Sequence, residues 1–119
     1  HHQLLQFTVK KDGTLGGKKV LFDFGPDRRG IDGMTLDGKG NIYATAGKGA
    51  RAGIYVFSST GKNLAFIPTP GSPTNCVFGG GKEKSALYIT AQSAPRADGT
   101  KPWGLFRIRL KIAGHHIFE

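Results

Sequence analysis

The chain repeats itself, and no other feature narrows its fold as far. Asp32, Tyr43 and Gly53 return as Asn75, Tyr88 and Gly104, at offsets of 43, 45 and 51 residues whose growth marks loop insertion. Within each unit short apolar runs are bounded by turn residues, at 32–36, 41–46, 54–57 and 63–67 in the first and at 73–78, 87–91 and 104–110 in the second. Runs of this length and punctuation are strand signals, and Asp37 with Gly38 supplies hairpin-turn chemistry between the first two. A self-similar unit of roughly 40 to 50 residues holding four antiparallel strands is the mark of a β-propeller blade.

Two more strands, at 4–9 and 19–24, precede the repeat and are joined by the turn residues Lys11, Asp12, Gly13 and Thr14. The expected fold is therefore all-β: the end of one blade over residues 1–25, a second blade over 26–70 and an incomplete third over 71–119. Propellers close with about four to eight blades. Two to three blades cannot close alone, so the missing ones are expected upstream in the same protein or on other chains. Exposed sheet edges and a half-built core predict poor solubility for the isolated piece.

Composition excludes more than it selects. Seventeen Lys and Arg against eight Asp and Glu give a net charge of +9, which raises the question of nucleic acid. The lysines at 10, 11, 18, 19, 39, 62, 82 and 84 are scattered beside expected turns, so no nucleic-acid partner is expected. Cys76 is the single cysteine, which rules out an intrachain disulfide and a cysteine zinc site. No apolar run approaches bilayer length and no signal-peptide pattern opens the chain; a soluble protein without a membrane partner is expected, its compartment open. The glycine-rich stretch 47–53 lacks a Gly-Lys-Ser/Thr ending and leads into a strand, so a phosphate cradle is not expected there.

Ile31-Asp32-Gly33-Met34, Gly40-Asn41-Ile42-Tyr43-Ala44, Thr74-Asn75-Cys76-Val77-Phe78-Gly79-Gly80, Leu87-Tyr88-Ile89-Thr90 and Gly104-Leu105-Phe106 together resemble the C-terminal part of the gluconolactonase and regucalcin (senescence marker protein) family. The resemblance implies a six-bladed propeller that hydrolyses a sugar lactone with one divalent metal in its central channel. Calcium comes first, with zinc, magnesium or manganese as alternatives. The aspartate of the Asp-Gly-Met motif falls on Asp32, which the resemblance makes a metal ligand and, by extension, a catalytic proton acceptor. Its partners, a glutamate and an asparagine of earlier blades, would lie upstream of residue 1, as would the substrate-contacting arginine and asparagine. The motif is often preceded by proline; here Ile31 stands in that place.

The chemistry suits the residue. A carboxylate is a hard anionic donor, and the start of a blade's first strand sits at the channel mouth where groups from several blades converge. Asp-Gly is also a leading turn dipeptide, but Asp37 and Gly38 already turn the hairpin, which favours the ligand reading. A non-catalytic propeller module binding protein or carbohydrate is the alternative function.

Other residues draw quieter expectations. Asn75, in the same slot one blade later, is expected to bond local backbone, and Cys76 and Met34 to fill the core, although the resemblance places Met34 near the channel. His1 and His2 read as an exposed terminus, and the adjacent pair His115 and His116 cannot easily grip one ion from a strand. Arg107, Arg109 and Lys111 are expected to share one solvated strand face. Trp103 either shades the channel mouth or packs its loop down.

Overall fold

A computed structural model describes residues 2–116; His1 and the apolar pair Ile117 and Phe118 lie outside them. Among the described residues nine strands form three antiparallel sheets: β1 (Gln3–Val9) with β2 (Leu15–Asp23); β3 (Ile31–Leu36), β4 (Ile42–Ala46), β5 (Gly53–Phe57) and β6 (Asn63–Pro68); and β7 (Pro73–Phe78), β8 (Ala86–Gln92) and β9 (Trp103–Arg109). Each sheet is a simple meander in chain order. The passage from β2 to β3 matches that from β6 to β7, so β2 and β6 are equivalent outermost strands, and β3 and β7 equivalent innermost ones.

The sheets stack face to face, and side-chain alternation dictates how. On the four-stranded sheet, Tyr43, Ile54 and Val56 face Cys76, Phe78, Leu87, Ile89 and Ala91 of the third sheet. Ala44, Ala46 and Phe57 face the other way, onto Leu4, Phe24, Leu21 and Phe22. Strand β4 is consequently buried on both sides from Tyr43 to Ala46. Its two alanines leave room for an aromatic cluster in which Phe22 meets Phe24 at 4.9 Å and Phe57 at 4.8 Å, and Phe24 meets Tyr55 edge-on at 5.4 Å.

The stack is also wedge-shaped. Strand β7 lies against both β3 and β4. A Cβ added to Gly33 would collide with the Asn75 carboxamide and come within 2.8 Å of the Thr74 carbonyl oxygen. Farther out, Ile67, Phe106 and Ile108 fill the widening gap between the same two sheets. Sheets that touch through glycine at their first strands and are spaced by phenylalanine and isoleucine farther out radiate from an axis, as propeller blades do.

Three expectations need correction. Strand β2 starts at Leu15 rather than near residue 19, so Lys18 and Lys19 lie within a strand; the register shift between Gln6 and Thr8 and the positive φ of Gly17 (60°) carry the ladder through a bulge. Met34 is not core. It is 51% exposed, on the same open face of β3 as Asp32 and Leu36, because alternation on that strand turns Ile31, Gly33 and Thr35 inward. Lys111 lies beyond the end of β9 and cannot share a strand face with Arg107 and Arg109. Trp103 opens β9 opposite Gln92 and stays 60% exposed, so it does not pack its loop down. Among the described residues no helix is long and apolar enough to cross a membrane.

Two substitutions test this packing. Phe57→Ala removes a fully buried ring from the aromatic cluster and is expected to destabilise the protein by about 3 to 5 kcal/mol. Gly33→Ala forces β3 and β7 apart and is expected to cost about 1 to 3 kcal/mol, whereas Gly80→Ala, with open space around it, is expected to stay within about 0.5 kcal/mol. Urea unfolding read by tryptophan and tyrosine fluorescence measures all three.

Candidate functional site

Asp32 stands at the head of β3, and the structure gives it a partner that the sequence reading left aside. Arg29, in the loop that leads into β3, donates from Nη2 to Asp32 Oδ2 at 2.6 Å. Its other terminal nitrogen, Nη1, donates to the carbonyl oxygens of Gly47, 3.1 Å away, and Pro73, 2.8 Å away. One guanidinium thus ties together the end of β4, the start of β7 and the carboxylate at the start of β3. Charge-assisted bonds from a planar fork of donors define a direction as well as an attraction. The Asp32 side chain remains 48% exposed, and its Oδ1 receives no hydrogen bond from the described residues.

A bulge sets this geometry. Pairing between β3 and β4 shifts between Ile31 and Met34, which leaves the Gly33 backbone without a ladder partner. Thr45, fully buried on β4, replaces it: its hydroxyl accepts from Gly33 N at 2.8 Å and lies 3.0 Å from Gly33 O and 3.1 Å from Thr74 O, sharing its one proton between those carbonyls. Asn75 behaves as expected for a locally bonded side chain, its Oδ1 accepting from Cys76 N at 2.9 Å. Cys76 is buried, its thiol donating to the Tyr43 carbonyl oxygen at 3.4 Å, and burial pushes its pKa up to about 12, which leaves it an unreactive filler.

At the opposite end of β3, Asp37 forms a second polar centre that its role as a turn residue conceals. It is 1% exposed and accepts four hydrogen bonds: from the backbone N–H groups of Lys39 and Asn41, from Asn41 Nδ2 and from the Tyr43 hydroxyl. Burial opposes its charge, yet the bonds from Asn41, Lys39 and Tyr43 outweigh that and hold its carboxyl below the usual carboxylate range. For Tyr43, burial first and then the charge of Asp37 push the phenol up to about 12. The C-terminal segment closes over this end, with Gly38 N bonded to Ala113 O at 2.9 Å and His115 N to Leu36 O at 2.9 Å. Asp37 is thus a structural anion.

The remaining candidates do not join Asp32 as ligands. Among the described residues no three His, Cys, Asp or Glu side chains come together. His2 lines an open cavity of ≈ 370 Å³ together with Gln3, Arg29, Gly30, Ile31 and Asp32, but its Nδ1 is engaged by the Arg28 carbonyl oxygen. Arg107 and Arg109 both reach Glu83, at 3.6 and 3.1 Å, as a surface ion-pair group.

Three stacked antiparallel sheets converging on their first strands, with polar groups gathered at one end of those strands, define a segment of a β-propeller. Residues 1–93 match the family model described as SMP-30/Gluconolactonase/LRE-like region, and the chain belongs to that family. It is 30% identical over 96 residues to regucalcin from Homo sapiens, an overlap covering 80% of this chain and 30% of that protein. Against a gluconolactonase from Zymomonas mobilis the identity is 37% over 75 residues, covering 61% of this chain and 19% of the relative. A solved luciferin-regenerating enzyme superposes with a TM-score of 0.75 at 21% identity, over 96% of this chain and 40% of that one, which speaks for the fold. The chain therefore spans only 19–40% of the length of these proteins.

The Asp37 centre yields a pH-dependent expectation. Because its folded pKa is depressed, its contribution to stability is complete above the unfolded carboxylate value of about 4 and is lost as pH falls through the folded value. Asp37→Asn is expected to lower stability by about 2 kcal/mol at pH 7 and to approach the wild type as the solution is acidified. Urea midpoints of both proteins across that range measure it; a gap that stays constant would contradict the assignment.

Proposed function

We propose that the chain is the C-terminal part of a metal-dependent lactonase in which Asp32 is one ligand of a divalent cation. What carries the reading is the placement of Asp32. Within the region shared with the gluconolactonase family, it is an exposed carboxylate at the head of an innermost strand, with Oδ1 left open by Arg29. What this chain supplies fits one position of a hard-oxygen site; the other ligands are assigned to blades outside it. The donor type suits calcium, the ion we place first, and equally magnesium or manganese, and it also serves zinc.

A divalent ion held there supplies Lewis-acid polarisation of the lactone carbonyl. Asp32 contributes the charge that retains such an ion and an oxygen able to accept a proton from the attacking water. Arg29 fixes Oδ2, so the carboxylate cannot rotate away and Oδ1 keeps its aim. Its own carbonyl partners, Gly47 and Pro73, make that anchor a property of two blades together. A lactone is an activated ester, so modest catalysis suffices.

The test is hydrolysis of glucono-1,5-lactone by the full-length protein, before and after exhaustive chelation and in Asp32→Asn. Loss of the metal is expected to abolish turnover, and Asp32→Asn to lower kcat/KM by about 100-fold or more. Unchanged rates after both treatments would overturn the metal mechanism.

A further inference from the structure

Beside Arg29 lies a second cavity, separate from the open one that holds Asp32. It measures ≈ 260 Å³ and is formed where the loop before β3 faces the loop between β4 and β5, with Phe24 and Tyr55 as its apolar floor. That volume lies just below the range usual for small-molecule pockets, enough for one end of a hexose-sized ligand. Four cationic side chains line it, Arg28, Arg29, Lys48 and Arg51, against one carboxylate, Asp27. Arg29 is discharged by Asp32, whereas Arg28, Lys48 and Arg51 make no ion pair among the described residues. Two positive charges remain in excess around an aromatic floor.

The loop that carries two of them is built to hold its shape. Gly47 has a φ of 74°, and a Cβ there would collide with the Arg51 carbonyl group, so the chain folds tightly back on itself. A single 3-10 turn, Gly49–Arg51, follows, with Arg51 N bonded to Lys48 O at 3.2 Å, Ala52 N to Gly49 O at 3.1 Å, and the Tyr55 hydroxyl to Arg51 O at 3.0 Å. Gly47 also receives the Arg29 guanidinium on its carbonyl oxygen. Cationic side chains that line one cavity from ordered loops raise the local positive potential, which favours an anion there.

We infer that this cavity is an anion subsite of the Asp32 centre, which takes the carboxylate or phosphate of an acidic sugar lactone. Arg29 links the two places, because it lines this cavity and bonds Asp32. The inference rests on the lactonase reading for the identity of the ring and on the pocket alone for the charge. The sugar ring lies toward Asp32, and its acid group enters the cavity that Arg28, Lys48 and Arg51 line with Phe24 and Tyr55.

The experiment uses the full-length protein and the variant Lys48→Gln/Arg51→Gln, whose altered side chains are exposed and bond no described residue. Three lactones are compared: neutral glucono-1,5-lactone, the same lactone with a 6-phosphate, and a glucarolactone with a 6-carboxylate. The wild type is expected to favour at least one anionic lactone by about tenfold or more in kcat/KM. The variant is expected to lose that preference through KM while its rate on the neutral lactone stays within about twofold. The phosphate and carboxylate arms tell which acid is read. Calorimetric titration with 6-phosphogluconate, the opened product, gives a readout independent of turnover. Binding by the wild type that weakens about tenfold in the variant supports the subsite even if no lactone is hydrolysed, an outcome that would reject only the lactonase reading. Measurable turnover at equal rates on neutral and anionic lactones, or equal or absent binding of the phosphorylated acid by the two proteins, would overturn the subsite.

Discussion

A strand with no free face sets the terms for the whole structure. Because β4 is covered on both sides from Tyr43 to Ala46, the two neighbouring sheets are fixed relative to each other through it. Its small residues admit the aromatic cluster on one side, and its tyrosine reaches Phe78 at 5.1 Å on the other. Burial of this kind is non-directional, so polar groups must supply the register. Thr45 does that from within the same strand, its hydroxyl facing backbone groups of both β3 and β7. The hydrophobic stack and its polar pin therefore share one five-residue element.

The polar groups at the mouth follow from that pin. Gly33 can turn inward only because a bulge and the Thr45 hydroxyl accommodate it, and its neighbour Asp32 is thereby turned outward. Arg29 then has a carboxylate on one side and two carbonyl oxygens on the other. An exposed ion pair of this kind adds little to stability by itself, on the order of 1 kcal/mol. Its effect is positional: the same guanidinium faces the Asp32 cavity and the aromatic-floored one, so the two are electrostatically one region.

Much of this fold was legible in the chain because blade strands carry a local code. Period-two runs between glycines and asparagines place the strands, and the return of Tyr43 as Tyr88 and of Gly53 as Gly104 places the blades; the ladders correct the third match, since they set Asp32 level with Thr74 and Gly33 with Asn75. That Asp32 stands at the head of a blade's first strand was legible too. Its partner was not. Arg29 sits in a stretch with three consecutive charges, and nothing local distinguishes the one that turns inward to two carbonyl oxygens from those that face solvent. The gathering of Arg28, Lys48 and Arg51 was hidden too: it arises because loops far apart in sequence leave the sheets at the same end, and charge listed along the chain looks scattered there. Met34 was misjudged because apolar character suggests burial, whereas strand alternation on β3 decides the side.

The ties at the far end of β3 have a mechanical meaning. With Leu36 O engaged by His115 and the Asp37 carboxylate gripping Asn41 and Tyr43, the innermost strand is clamped at its tail while Arg29 holds its head. A two-residue slide would keep every side chain on its proper face, and these clamps, together with the Thr45 hydroxyl on Gly33, oppose it. The last turns of the chain thereby act as a doorstop, keeping the Asp32 oxygen at a fixed depth along the channel axis from a distance of a whole strand.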